Sequence, residues 1–259
     1  MTIKRASQNK YTVYDDEGLR LGGCTIARRV VDRIFPDVPV QYVITVSGAP
    51  AARDILYGAA VGRAQMLASK EEKACRIYAE VDPKDADTLD MLSGLGFGGN
   101  DGIRRMTRPV EGANKELSDP EGSVLVTDRL EDGAERQKCL KRYNECFGTQ
   151  NTEEWLDELA SNEDFARLLL INDSGLMGEA LIWSAGNVGI VGIIQVSRPW
   201  RRQNVASCLI EHAREYFEAR GIQEMSMDVW LSSPGCAKLA KKAGFRGNTP
   251  LILYPELMH

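Results

Sequence analysis

At 259 residues, 43% hydrophobic and 27% charged, the chain has the composition of a soluble globular protein and room for two ordinary domains. No apolar run approaches the roughly 20 residues of a membrane span, and no apolar secretory core follows the basic N-terminus. The net charge of −5 is uneven, with 16 basic and 14 acidic residues in 1–108 against 16 and 23 in the remainder, too acidic for a nucleic-acid surface.

Residues 11–14 and 19–21 read as a hairpin around the turn at 15–18. Residues 25–34 alternate poorly and fit either a strand or a helix. Residues 38–46 read as a strand, 51–69 as a long helix, 77–81 as a strand and 86–95 as a helix. The polar stretch 109–122, with two prolines and two glycines, reads as a linker. A strand at 124–127 follows, then a helix over 133–146 and another starting at Thr152, a residue suited to an N-cap. Residues 166–171 and 176–183 form a hairpin around 172–175. The run 188–196 reads as a buried strand. Residues 205–220 read as a helix, with Val205, Leu209, Ile210, Ala213, Tyr216 and Phe217 on one side. A short strand within 221–230 and a helix stopped by Gly244 come next, and 249–254 supply a last strand.

The stretch between strand 188–196 and helix 205–220 carries the chemistry. A helix start leaves backbone N–H groups without acceptors, and its dipole favours negative charge there. Arg201 and Arg202 add donors suited to phosphate oxygens. The ligand implied is phosphorylated. The bare pattern also fits a basic helix cap packed on an acidic neighbour.

Val196 ends the strand, Trp200 precedes the turn, and the turn itself reads Arg201-x-x-Asn204-x-Ala206. This resembles the Q/R-x-x-G-x-G/A turn of the GNAT (Gcn5-related N-acetyltransferase) superfamily. Asn204 stands where the family has Gly; Asn tolerates a left-handed backbone better than most residues. The following strand, short helix and Gly244-Phe245 extend the resemblance over about 123–259. It implies an α+β (α/β) fold, a mixed, mostly antiparallel sheet with flanking helices. It implies acetyl-CoA held by Arg201, Arg202, Gln203, Asn204, Val205 and Ala206, by Ile194, Gln195 and Val196 on the motif strand, and by Ser233. The activity implied is acetyl transfer to a primary amine. The acidic second half either attracts a cationic amine or serves solubility.

The resemblance places the usual thiolate-protonating Tyr at Ala240 and the usual Glu base at about Ile190, so both proton handlers are absent. Glu179 and Asp228 are the candidate substitutes for the base, and strand alternation lets each face either the site or solvent. Tyr254 and Ser232 either protonate sulfur or serve structure, with structure the favoured reading. Trp155, Trp183 and Trp230 read as core. Only His212 and His259 are present, which argues against a zinc site. Six cysteines without C-x-x-C spacing read as reduced, mostly buried thiols of a cytoplasmic protein.

An internal repeat divides the chain. Gly96-Phe97-Gly98-Gly99-Asn100 and Gly244-Phe245-Arg246-Gly247-Asn248 are near copies, and the same offset pairs the preceding strands and helices. Arg53 falls on Arg201 and Gly58 on Ala206, a damaged version of the turn with Leu56 at the Asn204 position. The expected plan is a degenerate copy over 1–108, a linker over 109–122 and a GNAT copy over 123–259. The first copy is not expected to bind CoA. The alternative function is a non-catalytic acyl-CoA sensor or scaffold.

Overall fold

The computed structural model describes residues 1–32, 34–112, 117–233 and 235–258. The middle of the expected linker and His259 lie outside the described residues. Two compact units emerge, one of Met1–Ile103 with Pro250–His259 and one of Arg104–Thr249.

The first unit runs β1 (Thr2–Ser7), β2 (Lys10–Tyr14), β3 (Arg20–Val30), β4 (Val40–Gly48), α1 (Pro50–Ala68), β5 (Cys75–Ala79) and α2 (Ala86–Gly94). The stretch 25–34, readable either way in sequence, is strand as far as Val30. It pairs antiparallel with β4 in unbroken register from Gly22↔Gly48 to Val30↔Val40. Helix α1 buries Leu56, Ala60 and Ala64, each fully, against the inward residues Val13, Ile26, Ile44 and Ile77 of the sheet.

Arg28 Nε and Nη2 donate to both oxygens of Glu71 at 2.7 and 3.0 Å, and the hydroxyl of the buried Tyr42 donates to Glu71 Oε1 at 2.5 Å. These bonds hold the Glu71 carboxyl down at about 2, and burial with the carboxylate raises the Tyr42 phenol to about 12. A depressed carboxyl stabilises the fold above its ordinary range and loses that contribution as pH falls toward its folded value. Glu71→Gln is therefore expected to lose about 1–3 kcal/mol at neutral pH. The difference should shrink between about pH 5 and about pH 2. Urea denaturation across that range checks it.

The second unit carries β6 (Gly102–Pro109), β7 (Val124–Asp128), α3 (Gly133–Phe147), α4 (Glu153–Ala160), β8 (Glu163–Asn172), β9 (Gly175–Ala185), β10 (Val188–Val196), α5 (Val205–Glu218), β11 (Glu224–Trp230), α6 (Cys236–Lys242) and β12 (Arg246–Leu253). Its sheet has the order β12-β6-β11-β10-β9-β8-β7. One face packs α5 through Val205, Leu209, Ala213 and Phe217 onto Ile182, Val191 and Met225. Full burial of an apolar side chain such as Leu209 or Phe217 contributes about 1.5–3 kcal/mol. The other face buries Leu181 and Phe165 against Cys139 of α3 and Leu156 of α4. Asp132 caps α3 by accepting from the Glu135 N–H at 2.9 Å, and Gly148 ends it in the left-handed conformation. Thr152 sits at the N-cap position of α4 without a side-chain cap bond.

The chain end departs from the sequence plan, which put 123–259 in one copy. Pro255 has no N–H for a ladder, so β12 stops before it. The strand after it, β13 (Glu256–Met258), pairs antiparallel with Arg76–Tyr78 of β5 at the edge of the first sheet. The repeat itself is visible in geometry. Gly96 and Gly244 end α2 and α6 at φ of +87° and +88°. The next residues, Phe97 and Phe245, are both buried, and each donates its N–H at 3.0 Å, to Leu92 O and Ala240 O respectively.

Candidate active site

The site begins where β10 leaves its neighbour. Strand β10 runs antiparallel to β9 along its whole length, but its parallel pairing with β11 ends at Val191↔Met227. Between Val191 and Ile193 the register with β9 slips by one residue, a bulge at Gly192. A Cβ on Gly192 would lie 2.0 Å from the Trp183 ring, so only glycine lets the indole cross the strand there. In an antiparallel pair alternate residues direct both backbone groups away from the partner strand. Past Val191 those groups of β10 face a gap that β11 has left.

The gap leads to the turn. Ser197–Arg201 includes a short 3-10 segment (Arg198–Trp200) before the helix. Arg202 and Asn204 both adopt left-handed backbone, at φ of +64° and +62°. The Asn204 side chain does not cap α5; its Oδ1 accepts from Lys242 Nζ at 3.0 Å. The Asn204 carbonyl accepts from the Cys208 N–H, which leaves the amides of Val205, Ala206 and Ser207 as the helix's orphan donors. Arg201 Nε donates to Val196 O at 3.3 Å, joining the turn to the end of β10, and Gln203 Nε2 donates to Pro199 O at 2.9 Å. Arg201, Arg202, Gln203 and Asn204 are exposed. Ile194 and Val196 pack with Val205 in the core on the α5 side, while Gln195 lies opposite Glu179 on β9. A hollow of about 320 Å³ flanks the first turn of α5, lined by Ser207, Glu211, Arg108 and Lys242 among others. The arrangement suits a phosphate-bearing ligand whose far end lies along the β10–β11 gap.

The expected proton handlers take two different positions. Asp228 follows directly on the last β10–β11 rung, a third exposed. Arg105 Nε and Nη2 donate to its two oxygens, each at 2.8 Å. Glu179 is instead 1% exposed. Arg142 of α3 donates to both its oxygens at 2.7 and 2.8 Å, and Arg167 Nη1 stands 3.9 Å away. Arg167, itself 2% exposed, also pairs with Asp128 and Glu135. The adjoining Cys139 thiol is pushed up to about 12, first by burial and then by the Glu179 charge. Ser233 Oγ donates to Cys236 Sγ, at the start of α6, at 3.2 Å. Ala240 is fully buried in the α5 core, with no room for a phenol. Tyr254 belongs to the first unit, its ring tilted 47° against that of Tyr78 with centroids 4.9 Å apart, and burial raises its phenol.

Sequence reasoning missed Arg105, Arg142, Arg167 and Lys242. Arg142 had a signal, since it follows Cys139 by three and so shares its helix face. Gly192 had one too, an isolated glycine inside a strand pattern.

The profile of the acetyltransferase (GNAT) family matches residues 135–245, from the first turn of α3 to Phe245. The matched segment of the second unit belongs to the GNAT family. Among solved structures, it is similar to a GCN5-related N-acetyltransferase from Sphaerobacter thermophilus, at 19% identity over 98% of this chain and 82% of that one, with a TM-score of 0.56. A tandem GNAT protein from the clavulanic acid biosynthesis pathway matches at 12% identity over 96% and 82%, TM-score 0.50. A probable N-acyltransferase of Enterococcus faecalis V583 matches at 11% over 95% of this chain and 61% of its own length, TM-score 0.57. At these identities the likeness is one of fold. None of the curated proteins matches the chain.

The two GNAT-like units differ at the turn. In the first, α1 starts directly at Pro50, and the segment corresponding to 201–206 is already helix. Leu56, fully buried, occupies the position of Asn204. Arg53 donates to Asp85 at 2.8 Å and to Thr88. Strand β4 has no bulge against β3.

Proposed function

We propose that the second unit binds acetyl-CoA at the Arg201–Ala206 turn and transfers the acetyl group to a primary amine. The observation that carries this reading is the combination at one end of β10 of the bulge at Gly192, the pairing lost beyond Val191 and the uncapped start of α5. The orphan amides of α5 with Arg201 and Arg202 would hold the pyrophosphate. The flanking hollow with Arg108 and Lys242 would take the nucleotide end. When bound, the thioester supplies an activated acyl group with a good leaving group. Of Ile194–Val196, the backbone N–H groups that face the gap would polarise an acyl oxygen there. Asp228, at the mouth of the gap and oriented by Arg105, is the carboxylate we assign to accept the amine's proton, directly or through water. The first unit, with its turn absorbed into α1, is assigned no CoA.

Asp228→Asn preserves the shape and removes the basic site. Its kcat for acetyl transfer is expected to fall by about 100-fold or more, with acetyl-CoA affinity unchanged. Thiol release measured against a panel of amines, with a separate binding titration, checks both. A non-catalytic acyl-CoA-binding role is the second reading, favoured by Ala240 at the buried position of the usual tyrosine. It requires binding without thiol release from any amine.

A further inference from the structure

The first unit lacks cover that the second has. By strand order, β1-β2-β3-β4 correspond to β7-β8-β9-β10. Between β7 and β8 lie α3 and α4, which close one sheet face; between β1 and β2 there are only Gln8 and Asn9. The matching face of the first sheet therefore carries no helix of its own unit. Register defines what it presents. One rung runs Lys4↔Thr12↔Gly23↔Ser47, and the next runs Lys10↔Thr25↔Thr45. Their neighbours Val13, Cys24 and Ile44 point the other way, into the α1 core.

Gly23 makes the floor of a hollow of about 370 Å³. A Cβ there would lie 3.2 Å from Arg20 Nη2, so the guanidinium lies over the glycine. Lys10, Arg20, Thr12, Tyr14, Thr25, Thr45 and Ser47 supply the polar lining, and no carboxylate contributes. Thr12 is 9% exposed. Lys10 and Arg20 have no ion pair or hydrogen bond to their side chains among the described residues. That is a contrast with Arg28, Arg53, Arg76, Arg105, Arg142 and Arg167 of this net-acidic chain, which all hold carboxylates.

We propose that this hollow binds a small molecule carrying a phosphate monoester. Two uncompensated cations match a dianion. The hydroxyls match a phosphate's several acceptor oxygens and a polar remainder, where a carboxylate would leave most of them unused. The volume suits a ligand of sugar-phosphate size. This site is separate from the Arg201–Ala206 turn and does not depend on the acetyltransferase reading.

Ribose 5-phosphate, inorganic phosphate and ribose, each titrated calorimetrically into the full chain, test the assignment. One-site binding is expected for ribose 5-phosphate, weaker binding for inorganic phosphate and none for ribose. Lys10→Gln/Arg20→Gln is expected to weaken the ester by about tenfold or more. Arg201→Ala/Arg202→Ala should leave it unchanged. If the double variant misfolds, as judged by thermal melting, Thr45→Val keeps the shape, removes one hydroxyl and is expected to weaken binding severalfold. The assignment is overturned by no binding to the wild type at millimolar ester, or by loss of binding in the Arg201/Arg202 variant instead. Ribose binding as well as its phosphate would also overturn it. Inorganic phosphate binding as tightly as the ester would replace the ester with the free ion.

Discussion

Replacing Arg201 and Arg202 together with alanine is expected to raise the Kd for acetyl-CoA by about tenfold to a hundredfold. Both side chains are exposed, so each phosphate contact is screened and contributes at the lower end for a charged hydrogen bond. The loss is bounded because the Val205, Ala206 and Ser207 amides remain. The two residues are not equivalent. Arg201 is tied back to Val196 O, whereas Arg202 sits at φ +64°, a conformation that costs an L-residue about 1 kcal/mol and suits glycine. Arg202→Gly should therefore weaken acetyl-CoA binding without lowering stability, which separates charge from turn geometry. Calorimetric titration at two salt concentrations gives both numbers. An unchanged Kd in the double variant would move the cofactor away from this turn.

Asn204 shows what the sequence could and could not tell. Its tolerance of left-handed backbone is legible from residue type, and its φ of +62° agrees. Its bond to Lys242, 38 residues on, is not, because nothing local marks a cation at the end of α6 as its partner. The same division holds for the fold. Strand β10 and helices α1, α3 and α5 were readable because long buried stretches impose a clear period, and β10 falls on the expected 188–196. Strand β1 was not, since all six residues are exposed and no apolar alternation marks it. Strand β6 carries three arginines and a proline, and β13 has three residues, too short for any period. The placement of β13 in the first sheet depends on a long-range pairing with β5 that neither segment signals alone. The loss of α3- and α4-like helices from the first copy was not legible either, because the short β1–β2 connection that reveals it depends on the unread strand β1.

Glu179 is the sharpest test of reading chemistry from strand position. Alternation on β9 left it two faces, site or solvent; the structure adds a third outcome, a carboxylate sealed beneath α3. Glu179→Gln keeps the volume but removes the charge that holds Arg142 and faces Arg167. Removing one partner of a buried pair leaves the other cations uncompensated, and the expected loss is about 3–5 kcal/mol of folding stability. The residual Asp128 and Glu135 contacts to Arg167 place the value toward the lower end. Activity separates position from catalysis. If Glu179 acts by holding Arg142 and the α3 face, acetyl transfer at a temperature where the variant is folded should keep kcat within about threefold, with any change in KM for the amine. A general base removed at this position would instead cost about 100-fold or more in kcat. Urea denaturation gives the first quantity and steady-state kinetics the second. A stable, inactive Glu179→Gln protein would return the proton-accepting role from Asp228 to Glu179.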